Sequence, residues 1–158
     1  MKVLKNSWIV VLLVALLCSC GDSPLYNKSY SFANNSWEQD VKPVFKVYIP
    51  DTTSFYTIQI TIRTTTDYAY NNLWFFIHSR TPLGQVGREP FEMKIANPDG
   101  SWIGETSGTI VENTVYFKHR KFPQKGNYTF TFEQGITEQS VKNIMDISYA
   151  VTKDPNQN

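Results

Sequence analysis

The most specific chemistry in the sequence is at Leu17-Cys18-Ser19-Cys20. An aliphatic residue stands three positions before Cys20 and a small one directly before it, which is the order of a bacterial lipobox. That chemistry needs a thiol to take a diacylglyceryl thioether, and a small neighbour so that a peptidase can reach the bond. Cys18 is the rival thiol, but the bulky Leu17 precedes it. Lys2 and Lys5 stand in front of the apolar run Trp8 to Leu17. That run is about half the length a helix needs to cross a bilayer. Residues 1–19 therefore read as a cleaved lipoprotein signal peptide, not as a spanning anchor.

Acylation of Cys20 leaves the mature domain without another cysteine, which excludes an internal disulfide and a thiolate metal site. The expected non-protein group is the covalent lipid on Cys20, with no cofactor. Several acyl chains, at about 0.8 kcal/mol per buried methylene, make such anchoring effectively permanent. Residues 20–26, including Gly21, Asp22, Ser23 and Pro24, read as a short lipidated tether, and 27–158 as one domain. The whole chain has 158 residues, 41% hydrophobic and 18% charged, with net charge +1. Loss of Lys2 and Lys5 with the leader leaves 139 residues and takes the charge to −1. A near-neutral domain lacks the field that collects a phosphate backbone, so nucleic acid is not an expected partner.

The remaining ionisable residues form no catalytic or metal-binding spacing. The two histidines, His78 and His119, stand alone, and Glu89, Glu92, Glu105, Glu112 and Glu133 fall at outward strand positions or in turns. No enzyme and no metal site are expected. Lys118-His119-Arg120-Lys121, with Lys125 nearby, is the densest positive cluster. It reads first as a solvated strand end before Phe122-Pro123, with contact to an anionic lipid, a lipopolysaccharide phosphate or an acidic partner as the functional alternative, and strand alternation divides it between two faces. Aromatic residues make up 15% of the chain. Tyr68, Tyr70 and Trp74 around Asn71-Asn72, together with Trp102 between Gly100 and Gly104, are the candidate ligand or interaction surface. Rings and amides of this kind suit either a protein interface or a carbohydrate.

The elements that must position these residues are strands. Tyr56, Ile58, Ile60 and Ile62 alternate with Thr57, Gln59, Thr61 and Arg63. Phe45, Val47 and Ile49, then Phe91, Met93 and Ile95, then Tyr128, Phe130 and Phe132, repeat the period, and Met145 to Val151 gives a last strand. Leu73 to Ile77 is apolar throughout, which suits either a central strand covered on both faces or an exposed aromatic edge. A further pair is expected at 108–111 and 115–119, with Glu112-Asn113-Thr114 as its turn. A short helix is expected over Thr137 to Asn143. Asn97-Pro98-Asp99-Gly100, Gly84 to Gly87 and Lys125-Gly126-Asn127 are turn signals. The pattern predicts an all-β fold, an antiparallel β-sandwich of about eight strands, jelly-roll or Ig-like.

Tyr70-Asn71-Asn72-Leu73-Trp74, Gly100-Ser101-Trp102-Ile103-Gly104 and Gly126-Asn127-Tyr128-Thr129-Phe130 resemble the gliding motility lipoprotein family GldH. The lipobox, the Trp37 to Phe45 segment, the Ile62-Arg63 strand end and the Ile144-x-Asp146-Ile147 run follow in the same order. The resemblance implies a non-enzymatic lipoprotein of the cell envelope, lipid-anchored in the outer membrane. It also implies association with the gliding apparatus and its linked type IX secretion system, through envelope protein partners. Only Cys20 carries over as a functional position. Two function classes follow, an interaction subunit and a carbohydrate-binding β-sandwich lipoprotein. Mass spectrometry of the mature amino-terminal peptide should show a lipid-bearing Cys20, and an unmodified thiol there removes the anchor.

Overall fold

The structure, a computed structural model, describes residues 23–155 and shows eleven strands with one 3₁₀ turn at Ala33–Asn35. The strands are β1 (Tyr26–Ser31), β2 (Ser36–Glu38), β3 (Val44–Ile49), β4 (Tyr56–Thr65), β5 (Asn72–Arg80) and β6 (Val86–Lys94). They continue with β7 (Glu105–Ser107), β8 (Ile110–Arg120), β9 (Gly126–Gln134), β10 (Ser140–Lys142) and β11 (Ile144–Lys153). The leader and Cys20 lie outside the described residues.

The pairings are nested. β1 pairs β11, β2 pairs β10, β3 pairs β9, β4 pairs β8 and β5 pairs β6, all antiparallel. The chain is thus one long two-stranded ribbon that turns back at residues 81–85. Two further ladders, β4 with β11 and β5 with β9, fold this ribbon into sheets of order β1-β11-β4-β8-β7 and β3-β9-β5-β6. That wrapping is a jelly roll. Its eight long strands account for the expected number, and the three extra strands, β2, β7 and β10, are each three residues long.

Alternation in the sequence becomes the two faces of each sheet. Phe45, Val47 and Ile49 of β3 are buried while Val44, Lys46 and Tyr48 are exposed. Ile60 and Ile62 of β4 meet Phe75, Phe130 and Phe132 of the opposite sheet in one buried cluster. Pro90 lies on β6, the outer strand of its sheet, where its missing N–H costs no ladder bond. Arg63 and Asp146 face each other across β4 and β11. Arg63 Nε donates at 3.0 Å and Nη2 at 2.5 Å to the Asp146 carboxylate, which is buried.

Three expectations need correction. Thr137 to Asn143 contains no helix. Ser140–Lys142 forms β10 because Val141, fully buried, pairs with Trp37 of β2. Glu112-Asn113-Thr114 is not a turn but the middle of β8, with Glu112 turned to solvent and Asn113 inward. The reversal comes earlier, at Gly108, whose φ of 59° suits a residue without Cβ. Leu73 to Ile77 is neither covered on both faces nor an edge. β5 runs between β9 and β6, buries Leu73 and Phe75, and sends Trp74 and Phe76 to the outer face.

Ile60→Asp should destabilise by about 3–5 kcal/mol, since it buries an unpaired carboxylate and leaves a void. Gln59→Asp, on the opposite face of β4, should cost about 1 kcal/mol or less. Urea unfolding of both variants checks this, and equal losses would overturn the facing of β4.

Candidate functional site

The residues singled out from the sequence gather at one end of the sandwich, where β4 passes to β5 and β6 to β7. Tyr68 is buried, donates its hydroxyl to the Asn72 carbonyl at 2.9 Å, and packs edge-on against Tyr70 at 5.7 Å. Burial pushes its phenol pKa well up. It is a core residue. Tyr70 is 38% exposed and hydrogen-bonds the Glu138 carboxylate, which holds its own phenol above the ordinary value. The Asn71 carbonyl accepts the amides of Ile95 at 2.8 Å and Ala96 at 3.0 Å, stitching β5 to the segment after β6. Asn72 Nδ2 donates to Glu92 at 2.7 Å. Trp102 bridges Ala96 and leans on the core, half-buried. Among the six, the structure leaves Tyr70, Asn71 and Trp74 as the exposed residues.

Trp74 belongs to a surface that the sequence reading did not assemble. It is 43% exposed on the outer face of the sheet β3-β9-β5-β6, with Phe76 two residues along the same strand. The Arg88 guanidinium lies over the Phe76 ring, 3.4 Å from its centroid. Gly135 permits the close approach here. A Cβ at that position would stand 3.3 Å from both the Phe76 ring and the Trp74 carbonyl. His78 continues the row. Its Nε2 is 2.5 Å from Glu133, and Lys42 Nζ is 3.2 Å from the same carboxylate. Val44 and Tyr48 of β3 are exposed on this face as well. The result is a strand face that carries Trp74 and Phe76 with Arg88, His78, Glu133 and Lys42 around them. Because Leu73 to Ile77 is apolar at every position, no period in the sequence marked Trp74 and Phe76 as outward.

A second feature is a groove of about 510 Å³ between β6 and β8, which β7 leaves open beyond Glu112. Glu92, Lys94, Glu105, Asn113 and Tyr116 line it. Asn113 is only 3% exposed, and neither atom of its amide has a partner among the described residues. None of the aromatic residues proposed from the sequence lines this groove.

The charged cluster beside Trp74 sets a pH dependence. Burial disfavours the Glu133 carboxylate, but the hydrogen bonds from His78 and Lys42 outweigh it and hold its pKa below the ordinary value of 4.5. A depressed carboxyl stabilises the fold above its unfolded pKa, and that contribution disappears as pH falls through the folded value. The urea midpoint of the wild type should therefore fall more steeply below about pH 4.5 than that of Glu133→Gln. Parallel curves would show that the Glu133 bridges carry no net stability.

Over residues 24–151 the chain matches the sequence model of the family described as GldH lipoprotein. It is 28% identical over 156 residues to the gliding motility lipoprotein GldH of Flavobacterium johnsoniae, an alignment spanning 94% of this chain and 96% of that protein. Among solved structures, tripeptidyl peptidase 2 is similar with TM-score 0.45 and 10% identity over 85% of this chain, which spans 11% of that one. The Eiger TNF structure from S. frugiperda is similar with TM-score 0.42 and 9% identity, covering 86% of this chain and 99% of that one.

Proposed function

Since this chain belongs to the GldH lipoprotein family, we propose that it is a non-enzymatic cell-envelope lipoprotein that serves gliding motility as an interaction subunit. Its anchor in this reading is a lipid on Cys20, its location is the outer membrane, and its partners are proteins of the gliding and type IX secretion apparatus. The observation that carries the interaction role is the outer face of the sheet β3-β9-β5-β6. Trp74 is exposed there and Phe76 lies half-buried under the exposed Arg88, all on paired strands, where the backbone is fixed before a partner arrives. Exposed rings and arginine on a preorganised surface are the usual anchors of protein interfaces.

A carbohydrate ligand is the second reading, and the Asn113 amide favours it. A buried donor and acceptor without partners in an open polar groove suit the hydroxyls of a sugar. This reading moves the sugar site from the aromatic turns to the groove between β6 and β8.

In a strain lacking the native gene, the Trp74→Ala/Phe76→Ala double variant should reach normal abundance but restore colony spreading and protein export poorly. Its melting temperature should stay within about 4 °C of wild type, as expected for surface substitutions. Full restoration would remove this face as the interaction surface. Binding of a defined oligosaccharide that Asn113→Ala abolishes would establish the second reading.

A further inference from the structure

The loops fall into two sets. Residues 50–55, 81–85 and 121–125 lie at the end where β1 begins and β11 finishes, and 66–71, 95–104 and 135–139 lie at the other. The charges are unevenly divided between these ends although the chain as a whole is nearly neutral. Arg80, Lys118, Arg120, Lys121, Lys125 and Lys153 are exposed at the first end with Glu89, whereas Asp40, Asp67, Asp99, Glu105 and Glu138 are exposed at the second with Lys42, Lys94 and Lys142.

Of the carboxylates at the cationic end, Asp51 and Asp154 are already engaged, while Glu89 is exposed beside Arg120 and Lys121 without an ion pair among the described residues. Asp51 accepts the Ser54 amide at 2.8 Å and Lys153 Nζ at 3.3 Å. Asp154 accepts the Thr57 hydroxyl at 2.7 Å and lies 3.3 Å from His119 Nδ1. Arg80, Lys118, Arg120, Lys121 and Lys125 have no carboxylate within ion-pair distance among the described residues. The alternation expected to divide residues 118–121 between two faces is also broken. A bulge opposite Tyr56–Ile58, with His119 at φ 54°, inserts an extra residue in β8 and leaves all four side chains exposed. Apolar loop residues stand among these cations. Leu83 is 78% exposed at the tip of the 81–85 turn, and Phe55 is 41% exposed with Lys121 Nζ 4.6 Å from its ring centroid.

Chain connectivity decides what faces this end. Tyr26 stands six positions after Cys20, and at full extension that span reaches about 20 Å. A lipid on Cys20 therefore holds the cationic end, and not the acidic one, toward the bilayer. We propose that this end is a docking surface for a bilayer bearing anionic phospholipid headgroups. Lys118, Arg120, Lys121, Lys125 and Arg80 meet the phosphates, while Leu83 and Phe55 enter the headgroup layer. The orientation argument rests on the lipid-anchor reading; the uneven division of charge and the exposed apolar loops do not.

The test uses the mature protein purified from membranes and reconstituted on vesicles of phosphatidylcholine alone or mixed with phosphatidylglycerol. An environment-sensitive thiol dye is placed on Leu83→Cys at the cationic end or on Thr109→Cys at the far end. The dye at 83 should shift to the blue on the anionic vesicles only, and the dye at 109 on neither. Lys118→Glu/Lys121→Glu/Lys125→Glu should abolish the shift, and soluble unacylated protein should bind the anionic vesicles about fivefold less tightly for each cation lost. Circular dichroism shows whether that variant is folded, and raised salt applied to the unmutated charges should weaken the shift in the same way. Equal shifts on neutral and anionic vesicles, or at both ends, overturn the proposal. The parent protein takes up dye only if Cys20 is free, so the anchor is read separately. Acylated Cys20 with no shift refutes docking alone, and free Cys20 with a charge-dependent shift refutes the anchor alone.

Discussion

A continuous file of aromatic rings holds the two sheets together. It runs from Phe32 on Trp37 through Phe75 and Phe132 to Tyr149, then through Phe130, Tyr128 and Phe122 to Tyr56, each ring within 6.5 Å of the next. Tyr149 is its centre. It is buried on β11 and also packs against Phe45 and Tyr26, so it touches strands of both sheets. With no cysteine after Cys20, no covalent link joins the sheets, and apolar area with ring-edge geometry takes that role. The nested ribbon depends on this packing, because its outermost ladder joins Tyr26 to Val151 and closes only when the intervening strands are in place.

The aromatic file explains why the strands were legible and the aromatic surface was not. Period-two patterns at Phe45 to Ile49 and Tyr128 to Phe132 are properties of a half-buried strand, and they appear in the structure as written. An aromatic ring beside an Asn-Asn pair gives no such indication of its face. Tyr68 and Tyr70 are two residues apart, yet one is core and the other surface, because only the first reaches the Asn72 carbonyl under the turn. β10 was illegible for a different reason. Its partner in β2 is about a hundred residues away, and Ser140-Val141-Lys142 by itself has no strand signature. The bulge at His119 likewise depends on the ladder to β4 and not on the residues that form it.

Most of the motifs that relate this chain to its family are structural. Ile62-Arg63 and Ile144-x-Asp146-Ile147 lie opposite each other, and their charged members form the bidentate bridge between β4 and β11. Burying a carboxylate there is tolerable only with the arginine in place, so the two residues behave as one unit. Gly104 is equally constrained, since a Cβ would lie 2.2 Å from the Glu112 carbonyl. Such positions maintain the scaffold on which the outer-face rings are displayed.

The shortness of β7 matters once the protein is confined to a plane. β7 covers β8 only at Ile110–Glu112, so the hydrogen-bonding edge from Asn113 onward has no neighbouring strand. Molecules held side by side on a membrane meet one another's edges far more often than the same number dispersed in solution, and an open edge is a template for sheet-to-sheet association. Pro90 interrupts the edge of β6, while Lys118, Arg120 and the bulge disrupt the far end of β8. Crowding in two dimensions is thus opposed at the β6 and β8 margins, and within β8 the stretch from Asn113 to Phe117 is where a strand from another chain would meet least resistance.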